Sequence, residues 1–174
     1  MPLRAITLPL LTVLLFSAGC SSETEEPDRR FISFRMNDEI MLSEQTNLAY
    51  YSPGDITDTD PTNDKAQLLI QGATGTKDVV YIHVLAHDDK LVPGVYTNAQ
   101  PGNAFTMERF PSKEFLKADE TSGTWSVTVH RVTGDLVEGE FLGTAVSMDL
   151  GTIHTISHGY FKVKYRVAPP LSIP

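Results

Sequence analysis

The sequence predicts an all-β protein, a single antiparallel β-sandwich with a partly closed, lipocalin-like barrel as the alternative. From Phe31 onward, apolar and polar residues alternate with a period of two, which is typical of strands with one buried face. Turn residues recur about every 8 to 12 positions, as they do in β-sandwiches and barrels. No long segment shows the 3.6-residue period of an amphipathic helix.

The first half of the domain contains five predicted strands. In each of them, apolar residues alternate with polar ones or form a short run. Asn37-Asp38 marks the turn between the first two strands, and GATGTKD (72–78) follows the fourth. The five segments are FISFRM (31–36), EIMLS (39–43), NLAYY (47–51), AQLLIQG (66–72) and VVYIHVLA (79–86).

The second half contains four more predicted strands, with turns at Pro93-Gly94 and at Thr133-Gly134-Asp135. PSKEFLKADE (111–120) is the one candidate helix, about one or two turns long. The tail APPLSIP (168–174) cannot continue a central strand, because proline has no backbone N–H to donate. The four segments are VYTN (95–98), WSVTVHRV (125–132), LVEGEFLGTAVSM (136–148) and YFKVKYR (160–166).

Residues 1–19 have the three parts of a secretory signal peptide. Arg4 supplies a positive charge, residues 5–18 are uncharged and largely apolar, and small residues close the segment. The apolar run is shorter than the ~20 residues that a membrane-spanning helix needs. The sequence therefore predicts export from the cytoplasm.

Cys20, the one cysteine of the chain, follows this segment directly. Ala18 and Gly19 before it resemble the lipobox of bacterial lipoproteins, although Ser17 stands where leucine is commonest. The resemblance implies cleavage before Cys20 and lipidation of its sulfur, and each buried CH₂ of a fatty chain contributes ~0.8 kcal/mol to membrane binding. It therefore implies a lipoprotein of the cell envelope, anchored to the outer membrane, and the acidic residues that follow suggest exposure at the cell surface.

The rest of the chain divides into a tether, a domain and a tail. Residues 20–29 include four acidic residues and predict a disordered, lipidated tether. Residues 30–167 are expected to form one β-sandwich domain, and residues 168–174 are the proline-rich tail. The formal net charge of −8 disfavours binding to nucleic acid. The expected partners are the membrane, through the anchor, and a glycan, peptide or protein.

A set of turn and core residues resembles a domain of unknown function that is common in small β-rich lipoproteins of Gram-negative bacteria. The resemblance spans residues 66–166 and rests on a proline-glycine-tyrosine turn, a GT strand, a GxF strand and a last strand of the form I-x-x-G-x-F. It implies the β-rich fold and supplies no activity. The matching residues are Pro93, Gly94, Tyr96, Gly123, Thr124, Gly139, Phe141, Ile156, Gly159 and Phe161.

The loop SPGDITDTDPTNDKA (52–66) concentrates carboxylates. Calcium prefers oxygen ligands from flexible loops of this kind, so the loop is a candidate structural calcium site. The glycine and glutamate of an EF-hand are absent from it, and a plain solvated loop is the alternative. The candidate ligands are Asp55, Asp58, Asp60 and Asp64. No other cofactor is expected.

Two glutamates and two histidine pairs are the remaining candidates for chemistry. Glu138 and Glu140 share one face of a predicted strand, with α-carbons roughly 6.6 Å apart, and paired carboxylates serve glycoside hydrolysis. The alternative is a solvated face that pairs with Lys162 and Lys164. The histidines of each pair are four residues apart, which on a strand is too far to share a metal ion: His83 and His87, and His154 and His158.

Aromatic residues in or beside predicted loops are the candidates for ligand binding, above all Tyr50, Tyr51 and Tyr96. No nucleophile elbow, phosphate-binding loop, dinucleotide fingerprint or CxxC motif is present. The sequence therefore favours a non-catalytic binding or interaction module. Three alternatives stay open: a surface glycan- or peptide-binding protein, an envelope glycoside hydrolase, and a structural subunit that adds a strand to a neighbour.

Overall fold

The computed structural model describes residues 29–168, and the predicted signal peptide, most of the predicted tether and the end of the tail lie outside this range. The all-β prediction is confirmed, because the described residues form twelve strands and no helix. The strands are β1 Phe31–Met36, β2 Glu39–Ser43, β3 Leu48–Ser52, β4 Gln67–Ala73, β5 Val79–Leu85, β6 Gly94–Thr97, β7 Ala104–Glu108, β8 Phe115–Ala118, β9 Thr124–Thr133, β10 Leu136–Ser147, β11 Ile153–Lys164 and β12 Arg166–Val167.

All twelve strands belong to one hydrogen-bonded sheet, which β10 divides into two parts. The first part runs in the order β12-β3-β4-β5-β7-β8 and joins the end of β10 at Val146 and Ser147. In the second part, β6-β9 pairs with one edge of β10 and β11-β1-β2 with the other. Every pairing is antiparallel except the short one between β12 and β3.

The sheet curls around a single core. β11 continues into β12 after Tyr165, so the chain leaves one part of the sheet and pairs with β3 at the end of the other. Strand residues alternate between the core and the outer face, as in β11, where Phe161 and Val163 are buried and Lys162 and Lys164 are not. The centre of the core is aromatic and contains Phe34, Phe105, Trp125, Phe141 and Phe161.

β10 and β11 are joined by a reciprocal contact between glycine and phenylalanine. Gly139 lies opposite Phe161, and Phe141 lies opposite Gly159. A Cβ atom at Gly139 would lie 2.6 Å from the Phe161 ring, and one at Gly159 would lie 2.4 Å from the Phe141 ring. Each phenylalanine therefore occupies the space that its partner strand leaves free by having no side chain, as in aromatic rescue of glycine in sheets.

The helix predicted within residues 111–120 is wrong. Phe115–Ala118 is strand β8, which pairs with β7 and with the end of β10. Leu116 and Ala118 are buried, whereas Phe115 and Lys117, which alternate with them, are not. This is a period of two over four residues, too short for the sequence to separate from one turn of helix.

We expect Gly159→Ala to lower the free energy of unfolding by about 1–3 kcal/mol, because the added methyl group would overlap the Phe141 ring and its carbonyl oxygen. Chemical denaturation followed by tryptophan fluorescence measures the change. The matched control is Gly75→Ala, where a Cβ meets nothing within 4 Å and the change should stay within about 0.5 kcal/mol. Equal stability of the two variants would contradict the packing argument.

Candidate functional site

A pocket of about 400 Å³ lies on the outer face of the first part of the sheet. We call it the tyrosine pocket. Four neighbouring strands, β3, β4, β5 and β7, contribute two residues each. The lining residues are Tyr50, Ser52, Gln67, Leu69, Tyr81, His83, Ala104 and Thr106.

Strand register explains why these side chains meet. Tyr50, Leu69, His83 and Ala104 are successive partners across the four strands, so they form one row on one face. Tyr81 lies in the adjacent row, opposite Thr106. The residues between them point the other way into the core, because successive side chains of a strand alternate between its faces.

Polar groups lie at one end of the pocket. Nε2 of His83 lies 3.3 Å from Oε1 of Gln67, and Ser52 is the strand partner of Gln67. Gln67 and Ser52 are buried. Burial lowers the pKa of His83 below its ordinary value, so the imidazole is neutral near pH 7. The pocket therefore combines two aromatic rings with an imidazole, an amide and hydroxyl groups, and no charged residue lines it.

The three predicted ligand-binding tyrosines have different positions. Tyr50 lines the pocket and is partly exposed. Tyr51, its neighbour, faces the other way and packs against Tyr165, with 5.1 Å between ring centroids. Tyr96 is in strand β6, within the predicted VYTN segment, and it is buried in the core, where its hydroxyl donates a 2.6 Å hydrogen bond to the carbonyl of Val92. Ligand binding by Tyr96 from the surface is therefore corrected to a structural role.

The acidic loop uses its carboxylates in local hydrogen bonds. Asp55 accepts from the backbone and hydroxyl of Thr57, and Asp60 accepts from the same two groups of Thr62. These bonds lower the pKa of both aspartates. Within residues 29–168, no group of three or more His, Cys, Asp or Glu side chains is arranged to hold a metal ion. Calcium binding by Asp55, Asp58, Asp60 and Asp64 stays a prediction.

The histidine pairs do not form a shared site. His83 belongs to the tyrosine pocket, whereas His87 stacks on Tyr96 with 5.2 Å between ring centroids. His154 is buried, with Nδ1 3.1 Å from the amide nitrogen of Asn37 and Nε2 3.4 Å from Glu114. His158 is exposed at the β11 bulge, where its φ is 52°. These contacts give each of the four histidines a separate setting.

Glu138 and Glu140 face outward from β10, on the side away from the core. Oε1 of Glu138 is 2.8 Å from the Arg131 guanidinium and 3.3 Å from the Lys162 ammonium. The pKa of Glu138 is lowered, mainly by the hydrogen bond from Arg131. Burial raises this pKa, but the hydrogen bond from Lys162 lowers it further. A glycosidase acid needs a raised pKa, so these contacts favour an ion-pair cluster over a catalytic pair.

No family model matches the chain, and neither a curated protein nor a solved structure matches it. The resemblance to a lipoprotein domain of unknown function therefore stays a prediction, as does the lipobox at Cys20, which lies outside the described residues. In the part of the chain that the structure describes, no helix is long and apolar enough to cross a membrane.

Sequence reasoning missed most of the tyrosine pocket. Gln67 and Leu69 lie in a segment whose sequence is a short apolar run, and VVYIHVLA is apolar on both faces. Neither pattern alone indicates a polar outer face. The alternation of Tyr81 and His83 with the buried Val80, Ile82 and Val84 is the signal that was available. Finding the pocket also required the register between strands far apart in sequence.

His83 should titrate below its ordinary pKa of 6.5, which ¹H–¹⁵N NMR of the imidazole measures. The unfolded chain takes up this proton more readily than the folded one, so the free energy of unfolding falls as the pH drops below about 6.5. His83→Asn should reduce that loss between pH 7 and pH 5. His158→Asn is the control for removing a histidine, and titration of His83 at or above 6.5 would contradict the assignment.

Proposed function

We propose that this protein is a lipid-anchored lipoprotein of the cell envelope that acts as a non-catalytic binding module and takes a neutral glycan in the tyrosine pocket. The observation that carries the proposal is the pocket itself, a concave, mostly uncharged surface with two tyrosines beside buried polar groups. Concave sites with apolar walls and a few convergent polar groups are the usual form of ligand sites.

The lining chemistry favours a neutral, hydroxyl-rich ligand. Tyrosine offers a flat apolar ring for stacking and a hydroxyl for hydrogen bonding. The amide of Gln67 and the neutral imidazole of His83 each carry both a donor and an acceptor, which matches hydroxyl groups that also do both. Since no lysine, arginine, aspartate or glutamate lines the pocket, a charged ligand would lose hydration without gaining an opposite charge.

A glycan fits this pocket better than an extended peptide does. Each of the four strands that form it already has a partner on both sides, so no free strand edge is available for peptide backbone. The ligand must therefore be recognised by side chains alone.

The proposal does not include glycoside hydrolysis. Glu138 and Glu140 lie outside the pocket, and the ion pairs of Glu138 with Arg131 and Lys162 favour its ionised form over that of a catalytic acid.

A Tyr50→Ala/Tyr81→Ala variant should lose about tenfold in affinity for any glycan that binds, because each stacked ring contributes about 0.5–1.5 kcal/mol and the variant removes two of them. An array of glycans and peptides, probed with the detergent-solubilised protein and followed by calorimetry, gives the measurement. Tyr160→Ala is the matched control, since Tyr160 is a tyrosine on the outer face of β11 that stacks on Phe31. Binding of peptides alone, or an unchanged affinity in the double variant, would refute the proposal.

Replacement of Cys20 tests the anchor separately from the pocket. We expect Cys20→Ala to abolish incorporation of labelled palmitate and to move the protein from the membrane fraction to the soluble fraction, because the thiol that carries the lipid is gone. Ser21→Ala is the control at the neighbouring position. Palmitate incorporation that persists in Cys20→Ala would show that lipid is attached elsewhere.

A further inference from the structure

Arg166 lies at the rim of the tyrosine pocket, on the strand that borders it. The pocket is lined by β3, β4, β5 and β7, and β12 pairs with β3 on the side away from β4. Within β12, Arg166 is the register partner of Tyr50. Neighbouring strands of a sheet are about 4.8 Å apart, so the backbone of Arg166 lies one strand spacing from a residue that lines the pocket.

The residues around Arg166 determine the face to which its side chain points. Tyr165, which precedes it, packs against Tyr51 on the core side, with 5.1 Å between ring centroids. Successive side chains of an extended chain point to opposite faces, and register partners share a face. Arg166 therefore lies on the outer face together with Tyr50. The backbone is held just after it, where the amide of Ala168 donates a 2.8 Å hydrogen bond to the carbonyl of Tyr51.

The guanidinium of Arg166 is available to a ligand. Its residue is exposed, and within residues 29–168 neither a hydrogen bond nor an ion pair engages its side chain. The chain has 22 acidic residues against 14 basic ones, and Arg29, Arg109 and Arg131 each contact a carboxylate. An arginine that has no such contact, at the rim of a pocket, is suited to an anionic group on the ligand.

The opposite rim of the pocket has a different charge pattern. There β8 borders β7, and Lys117 lies opposite Thr106, but its ammonium group is paired with Asp119. Glu108, two residues after Thr106, is an exposed carboxylate of β7. An anionic group would be repelled by Glu108 at this rim and attracted by Arg166 at the other, which gives a charged ligand a single favourable orientation.

We propose that the ligand is an acidic glycan, in which a neutral sugar unit fills the tyrosine pocket and the carboxylate of the adjacent unit binds the guanidinium of Arg166 at the rim. This assignment rests on glycan binding in the pocket, as proposed above. The planar guanidinium donates two parallel hydrogen bonds to the two carboxylate oxygens. The unit inside the pocket is neutral because no charged residue lines it. The acidic unit lies at the exposed rim, where it keeps much of its hydration.

Matched disaccharides test this assignment. The probes are cellobiose, lactose and maltose, each compared with the form in which the hydroxymethyl group of the non-reducing unit is oxidised to a carboxylate. Calorimetry with the full chain in detergent should give about three- to tenfold higher affinity for the carboxylate form of any disaccharide that binds, as expected for an exposed charge-assisted hydrogen bond. Because salt screens exposed charges, this preference should shrink from about 0.05 M to about 0.5 M NaCl.

Substitutions of Arg166 separate its charge from the pocket. Arg166→Gln should abolish the preference and leave the affinity for the neutral form unchanged. Arg166→Lys should keep part of the preference, because the ammonium group keeps the charge but lacks the planar fork. Arg35→Gln is the matched control, an exposed arginine of β1 outside the pocket, and should keep the whole preference. Circular dichroism shows that each variant is folded.

The outcomes distinguish a failure of this assignment from a failure of glycan binding itself. Equal affinity for the two forms of a disaccharide, or a preference that persists in Arg166→Gln, would overturn the acidic glycan and leave the neutral one in place. If neither form of any of the three disaccharides binds at millimolar concentration, the proposed function is overturned together with the role of Arg166.

Discussion

The reciprocal packing of Phe141 and Phe161 over two glycines connects the two longest strands of the protein, and much of the structure depends on it. Phe141 lies between β11 and the rest of the core, with ring centroids 5.1 Å from Trp125 and 5.7 Å from Phe34. Phe105, from the part of the sheet that forms the tyrosine pocket, lies 5.1 Å from Trp125. One aromatic cluster therefore joins the two parts of the sheet, and the position of the pocket face depends on the Gly–Phe contact behind it.

The same cluster explains how a shallow outer pocket can be held rigid. Strand β5 buries Val80, Ile82 and Val84 on one side and presents Tyr81 and His83 on the other. Because interiors are close-packed, a strand fixed by its core face also fixes the side chains of its outer face. Binding groups on paired strands are positioned more precisely than groups on loops, and both Tyr50 and Tyr81 lie on paired strands.

Local signals in the sequence were sufficient for the fold class and insufficient for the site. The alternation in YFKVKYR predicted β11, and Asn37-Asp38 predicted the first hairpin turn, because both depend on neighbouring residues only. Lys162 was expected opposite Glu138 and lies there, whereas Arg131, its second partner, depends on the register of β9 and was missed. VYTN was predicted as a strand, but Tyr96 was expected to be available to a ligand; it is buried in the core, because the pairing of β6 with β9 sets which face its ring takes.

The two surfaces of this domain suit different kinds of ligand, and the pairing of the strands decides which. A sheet interior offers side chains alone, so the tyrosine pocket can distinguish ligands only by ring stacking and side-chain hydrogen bonds. A sheet edge such as that of β2, which pairs on one side only within the described residues, instead leaves backbone N–H and C=O groups at a fixed spacing. The two surfaces are separate in this domain, because no residue that lines the tyrosine pocket belongs to β2 or to the turn that faces it, residues 73–77.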